Sequence, residues 1–134
     1  MASIQIYSFK FKHYKHLVLM LMDQKCEWMQ HVSYKTLPKI GYIAMMGEQP
    51  IAVGFLRRVE GGYGQLDTFV TSPWFGSQVR HKGLDGIVNA LMAEAKDLNL
   101  LGLIAVTKDT GIIKRAKSLG WNEISQTLIG IQLK

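Results

Sequence analysis

Arg80-His81-Lys82-Gly83-Leu84-Asp85-Gly86 stands between a strand-like run ending at Thr71 and a strongly helical run beginning at Ile87. A basic, glycine-bearing segment that opens a helix is a natural cradle for phosphate. The first amides of a helix have no intrahelical partners, and they point at any bound anion with the positive end of the helix dipole. The segment is therefore predicted to be a loop whose amides at 81–86 converge on a phosphate, with Arg80 and Lys82 adding charge. Asp85 opposes this reading, because a carboxylate repels a neighbouring phosphate unless it points away or meets a cation.

Downstream, Ile87 to Leu98 reads as an amphipathic helix with Ile87, Val88, Leu91, Met92 and Ala95 inward. Leu100 to Val106 is a continuous apolar run, as in a strand buried on both faces. Thr110 to Leu119 is a short helix ended by Gly120, and Ile124 to Leu133 alternates as a last strand. Upstream, Pro73-Trp74-Phe75-Gly76-Ser77 breaks the pattern. Before it come three strand candidates, Ile40–Met46, Ile51–Val59 and Gln65–Thr71, separated by Gly47-Glu48-Gln49-Pro50 and by Gly61-Gly62. Connections this short make an antiparallel meander, since a parallel crossover needs many more residues. Ile4 to Phe9 alternates as a first strand. Lys12 to about Met29 is helical in pattern, with Tyr14, Leu17, Val18, Leu21 and Met22 at helical spacing. The order β-α-β-β-β-α-β-α-β is that of one α/β domain, residues 1–134, on a mixed central sheet.

The chain has 134 residues, 48% of them hydrophobic and 19% charged, which suits a single globular domain with a real core. A lone cysteine, Cys26, excludes an intramolecular disulfide framework and a cysteine metal cluster, so a cytoplasmic setting is expected. The apolar run Leu17 to Met22 is too short to span a bilayer, and no membrane role is expected. The net charge of +6 favours anionic partners, but the basic residues are scattered rather than clustered. His13 and His16 share a helical face without a third ligand, and Cys26 with His31 lacks an orienting group. The seven methionines read as core filler.

The element order, with a phosphate-type loop after the fourth strand, resembles the GNAT superfamily of N-acetyltransferases. The likeness covers residues 40–134 and, in outline, the first 40. The family's pyrophosphate signature is Gln/Arg-x-x-Gly-x-Gly/Ala. Arg80-x-x-Gly83-x-Asp85 fits two of its three places, and Arg80-x-Lys82-Gly83 echoes the common Arg-Gly-Lys-Gly spelling. A second register, Gln78-x-x-His81-x-Gly83, also fits two of three. The first is favoured, because it sets Val88 and Met92 where the family's helix buries apolar residues.

The resemblance implies acetyl-CoA as co-substrate, its pyrophosphate held by Arg80, His81, Lys82, Gly83, Leu84, Asp85 and Gly86. It implies a parting of the fourth and fifth strands, leaving amides at about Phe69 and Thr71 for the pantetheine and the thioester carbonyl, opposite Leu103 to Val106. The family also tends to show Asn-x-x-Ala-x-x-x-Tyr-x-x-x-Gly-Phe. Here Gly120-Trp121 matches its end and Asp109 stands near the asparagine, but the acid tyrosine falls at or beside Ala116 and is absent. Asp67 is the candidate general base, acting directly or through water; its other reading is a solvated carboxylate paired with Arg57 or Arg58. Trp74 and Phe75 either line an acceptor pocket or plug the space under a loop.

The function implied is acetyl transfer by direct attack of an amine borne by a small molecule, a peptide or a modified nucleobase. The alternative is a catalytically inactive protein of the same fold, a binding or structural component such as a viral one; a nucleic-acid-binding module stands third. The apolar last strand either pairs with a second copy, giving a homodimer, or is internal.

Overall fold

The structure is a computed structural model that describes residues 3–23, 33–107, 110–124, 129–131 and 133. Strand β1 (Ile4–Ser8) leads through a short 3-10 turn into helix α1 (Tyr14–Asp23). The meander β2 (Ile40–Met46), β3 (Gln49–Val59) and β4 (Tyr63–Thr71) follows, then helix α2 (Ser77–Asp97), strand β5 (Gly102–Ala105) and helix α3 (Thr110–Ser118). The five strands form one sheet in the order β1-β2-β3-β4-β5. Its pairings are antiparallel except β4 with β5, which are parallel because the 21-residue α2 crosses between them.

Alternation along the strands sorts side chains to two faces. Ile43, Met45, Val53, Phe55 and Val70 meet Leu17, Met20 and Leu21 of α1. Ala44, Ala52, Leu56 and Leu66 meet Ile87, Leu91 and Ala95 of α2. Burying each large aliphatic side chain contributes about 1.5–3 kcal/mol, so packing fastens these helices more than propensity does.

The mixed sheet, the meander and the element order through α3 agree with the sequence reading. Three features differ: β5 stands at the sheet's edge and is half exposed rather than buried on both faces, and the other two concern helix α2 and residues 124–133. Helix α2 begins at Ser77 rather than after Gly86, so residues 80–86 are helical and not a loop. The two glycines lie inside the helix because α2 presses on the sheet there. A Cβ on Gly83 would stand 2.7 Å from Ile51 Cγ2, and one on Gly86 2.7 Å from Ile6 Cδ1. Third, Ile124, Ile129, Gly130, Ile131 and Leu133 join no strand, and the four apolar ones are exposed. An alternating pattern makes a sheet strand only with a hydrogen-bonding neighbour, and these residues have none in the described sheet. Residues 125–128, 132 and 134 of that segment lie outside the described residues, as do residues 24–29 of the expected first helix.

Helix α2 ends as its sequence allows: Asn99 takes φ +58, its amide donates to Lys96 O, and the Leu100 amide donates to Ala95 O. Gly120 (φ +96) closes α3 the same way, with bonds to Lys117 O and from Trp121 to Ala116 O.

Candidate functional site

Strand β4 carries a bulge at its centre. Its register with β3 runs Phe55↔Asp67 and then Val53↔Val70, so Thr68 and Phe69 both oppose Gly54. Thr68 absorbs the extra residue at φ +54, and the Phe69 ring lies where a Gly54 side chain would be, 2.5 Å from its ideal Cβ.

The same point ends the pairing with β5. Tyr63–Leu66 pair with Gly102–Ala105, and β4 continues for five more residues without β5 beside it. Beyond the bulge, the amide of Ser72 donates to Ile51 O on β3 at 2.7 Å. Strand alternation then turns the amide of Phe69 away from β3. The β4–β5 pairing therefore stops short of Phe69 and Thr71, the residues named from the sequence.

Residues 72–76 carry the chain from the end of β4 to the start of α2. Gly76 is the N-cap residue in extended conformation, no side chain caps the helix, and its first turn holds no acidic residue. The first intrahelical bond runs from Arg80 N to Gly76 O at 3.1 Å, so the amides of residues 77–79 have no intrahelical partner. The anion-binding end of the helix is thus Gly76 to Val79. The amides of residues 81–86 are spent within the helix, which corrects the expectation that they converge on a phosphate. Of that set, Arg80 stays at the helix start, and its Nε is buried without a hydrogen-bond partner among the described residues. His81, Lys82 and Leu84 occupy the second turn, while Gly83 and Gly86 face the sheet. The second register, opening at Gln78, lies nearer the free amides than the favoured one. The type of Gly76-Ser77 just after Pro73, an N-cap and first-turn pair, was the available signal for this start.

Asp85 is eight residues beyond Ser77, about 9–12 Å along the helix axis from the amides of residues 77–79. Its carboxylate pairs with Arg115 of α3, so the acid that opposed phosphate binding points away and holds a cation.

Asp67 lies beside the bulge. Its Oδ2 accepts from Arg57 Nε at 3.0 Å and its Oδ1 from Thr68 Oγ1 at 3.2 Å. Trp74, next to the helix start, is 54% exposed, whereas Phe75 packs against the α2-side core as a plug. Asp109 lies outside the described residues. Ala116, on the partly buried side of α3, offers no acid. His13 is buried with Nδ1 accepting from the Lys10 amide at 2.9 Å, which removes it as a metal ligand. No cluster of three or more potential ligands exists among the described residues, and no described helix is long and apolar enough to cross a membrane. Cys26 and His31 lie outside them.

No family model matches the sequence, and no curated protein matches it. Solved structures do. The aminoglycoside N-acetyltransferase AAC(6')-Iy, in complex with a CoA bisubstrate analogue, superposes with TM-score 0.72 at 15% identity, covering 98% of this chain and 99% of that one. The chain has the GNAT fold. A ribosomal-protein-alanine N-acetyltransferase from Brucella melitensis matches with TM-score 0.70 at 8% identity, over 98% and 100% of the two chains. A predicted acetyltransferase with acetyl-CoA from Clostridium acetobutylicum matches with TM-score 0.69 at 17% identity, over 96% of each. The bulged, parted fourth strand and the following helix start are thus features of a GNAT-fold chain with little sequence in common with these relatives.

Proposed function

We propose that the protein is an acetyl-CoA-dependent N-acetyltransferase. One observation carries this reading: β4 outruns its pairing with β5 by five residues, and the uncapped start of α2 follows after residues 72–76. A slot beside the unpaired end of β4, with an anion-binding helix end following, suits a pantetheine chain and its pyrophosphate. The buried, unpartnered Arg80 Nε fits the same anion. GNAT-fold neighbours solved with CoA or acetyl-CoA support the choice of co-substrate.

In this reading the amides of residues 77–79 and Arg80 hold the pyrophosphate, and the amide of Phe69 holds the pantetheine and polarises the thioester carbonyl. The acceptor nitrogen bonds to the acyl carbon as the carbon–sulfur bond breaks; the amine loses one proton and the departing thiolate gains one. Asp67, the carboxylate nearest the bulge, takes the amine proton directly or through water. Each of its oxygens keeps a lone pair beyond the contacts to Arg57 and Thr68. Ala116 supplies no acid to the thiolate, which leaves solvent as the proton source. The neighbour AAC(6')-Iy is an aminoglycoside N-acetyltransferase, and a small-molecule amine is proposed as the acceptor here.

Thermal denaturation with acetyl-CoA tests the reading. At a hundredfold excess over Kd the ligand adds about 2.7 kcal/mol, an upward Tm shift of several degrees. No shift at millimolar acetyl-CoA rejects it in favour of a non-catalytic protein with this fold.

A further inference from the structure

Pairing of β2 with β3 stops at Ile40↔Leu56, while β3 runs on beside β4 to Val59↔Tyr63. The chain entering β2 turns away there and leaves a groove of about 440 Å³ lined by Leu37, Pro38, Lys39, Leu56, Arg57 and Arg58. A second hollow of about 280 Å³ shares Leu37, Pro38 and Lys39 and adds Phe9, Tyr34 and Lys35. The walls are apolar and the rim is cationic. Among the described residues no Asp or Glu lines either hollow. Arg57 is paired with Asp67, and Lys35, Lys39 and Arg58 form no ion pair among the described residues. Arg57 therefore links the groove to the bulge, because its guanidinium grips the residue that precedes Thr68.

We propose that this groove receives the acceptor and selects an amine that also carries a carboxylate; the proposal rests on the transferase reading. The apolar floor takes the aliphatic body of the acceptor, and Lys39 and Arg58 take the carboxylate. The same cations disfavour an ammonium ion, so a diamine is excluded, and the reacting amine is held more readily in its neutral, nucleophilic form.

The test uses product-like ligands and the full chain. Amide spectra of the ¹⁵N-labelled protein are followed during titration with 6-acetamidohexanoate and with its neutral twin, N-hexylacetamide. The carboxylate is expected to move the amide signals of Lys39, Arg57 and Arg58, and the twin is not. Arg58→Gln and Lys39→Gln, both at exposed positions, are each expected to weaken carboxylate binding about tenfold, as is high salt. Equal response to the twin, unchanged affinity in both variants, or no response to either ligand overturns the proposal. Acetyl-CoA affinity, measured separately by calorimetry, is expected to be the same in wild type and variants. Carboxylate selectivity without acetyl-CoA binding removes the transferase reading alone, whereas acetyl-CoA binding without selectivity removes the groove's role alone.

Discussion

Asp67 holds a guanidinium on one oxygen and a hydroxyl on the other, yet it stands beside the bulge where the acyl group is proposed to react. As a general base it would supply on the order of 10²–10⁴ in rate. Asp67→Asn keeps the shape and loses the charge. Its kcat/KM is therefore expected to fall by at least about a hundredfold while acetyl-CoA affinity stays constant. Activity above half of wild type would show that the residue only anchors Arg57. Some of this was readable beforehand. Arg57 and Asp67 were a foreseeable pair because a hairpin closed at Gly61-Gly62 brings them to one face. The partner of Asp85 was not, since Arg115 lies 30 residues away on another helix and its approach depends on how the helices pack.

Helix α2 shows how an element's start governs what it can bind. A first turn without acidic residues or a capping side chain is a poor choice for stability and a good one for an anion. Ser77→Asp should separate the two. The added carboxylate stabilises the helix by about 0.3–1 kcal/mol, raising Tm, and should weaken acetyl-CoA at the same site. A variant that gains stability and binds acetyl-CoA as before would move the proposed anion site elsewhere. The interior glycines give a second contrast. Gly83→Ala gains about 1 kcal/mol of helix propensity, but its Cβ meets buried Ile51 and Ala44; about 1–3 kcal/mol of overpacking should win, lowering the urea midpoint. Gly86→Ala meets only the end of the Ile6 side chain, and should cost less than Gly83→Ala.

This helix is also where sequence reading succeeded and failed most clearly. Its inner face at Ile87, Leu91 and Ala95 followed from periodicity. Its beginning did not, because glycine serves both sharp turns and close contacts, and only the neighbouring sheet decides between them.

At the scale of the molecule, pH acts through the N-terminal turn. Burial, with help from Lys12, His16 and Lys10, holds the His13 imidazole below its usual 6.5, and His16 is lowered by burial and Lys15. The unfolded chain therefore binds more protons as pH falls past 6.5, so stability is full above that value and lost through the lower folded pKa. Urea denaturation should give a lower midpoint at about pH 5 than at about pH 7.5, and His13→Gln should shrink the difference. An unchanged difference would assign the slope to other groups.

The short β4–β5 ladder carries a consequence of its own. Among the described residues, β5 and α3 are joined to the rest by four residue pairs, one exposed ion pair and the packing of half-buried Leu100, Leu103 and Trp121, while α3 itself buries no side chain. The two lips of the proposed slot hence belong to parts of unequal cohesion, and a long ligand lying between them would act as a stitch across a loose seam. Hydrogen–deuterium exchange should register that mending at Gly102–Ala105 first, with β2 and β3 scarcely altered.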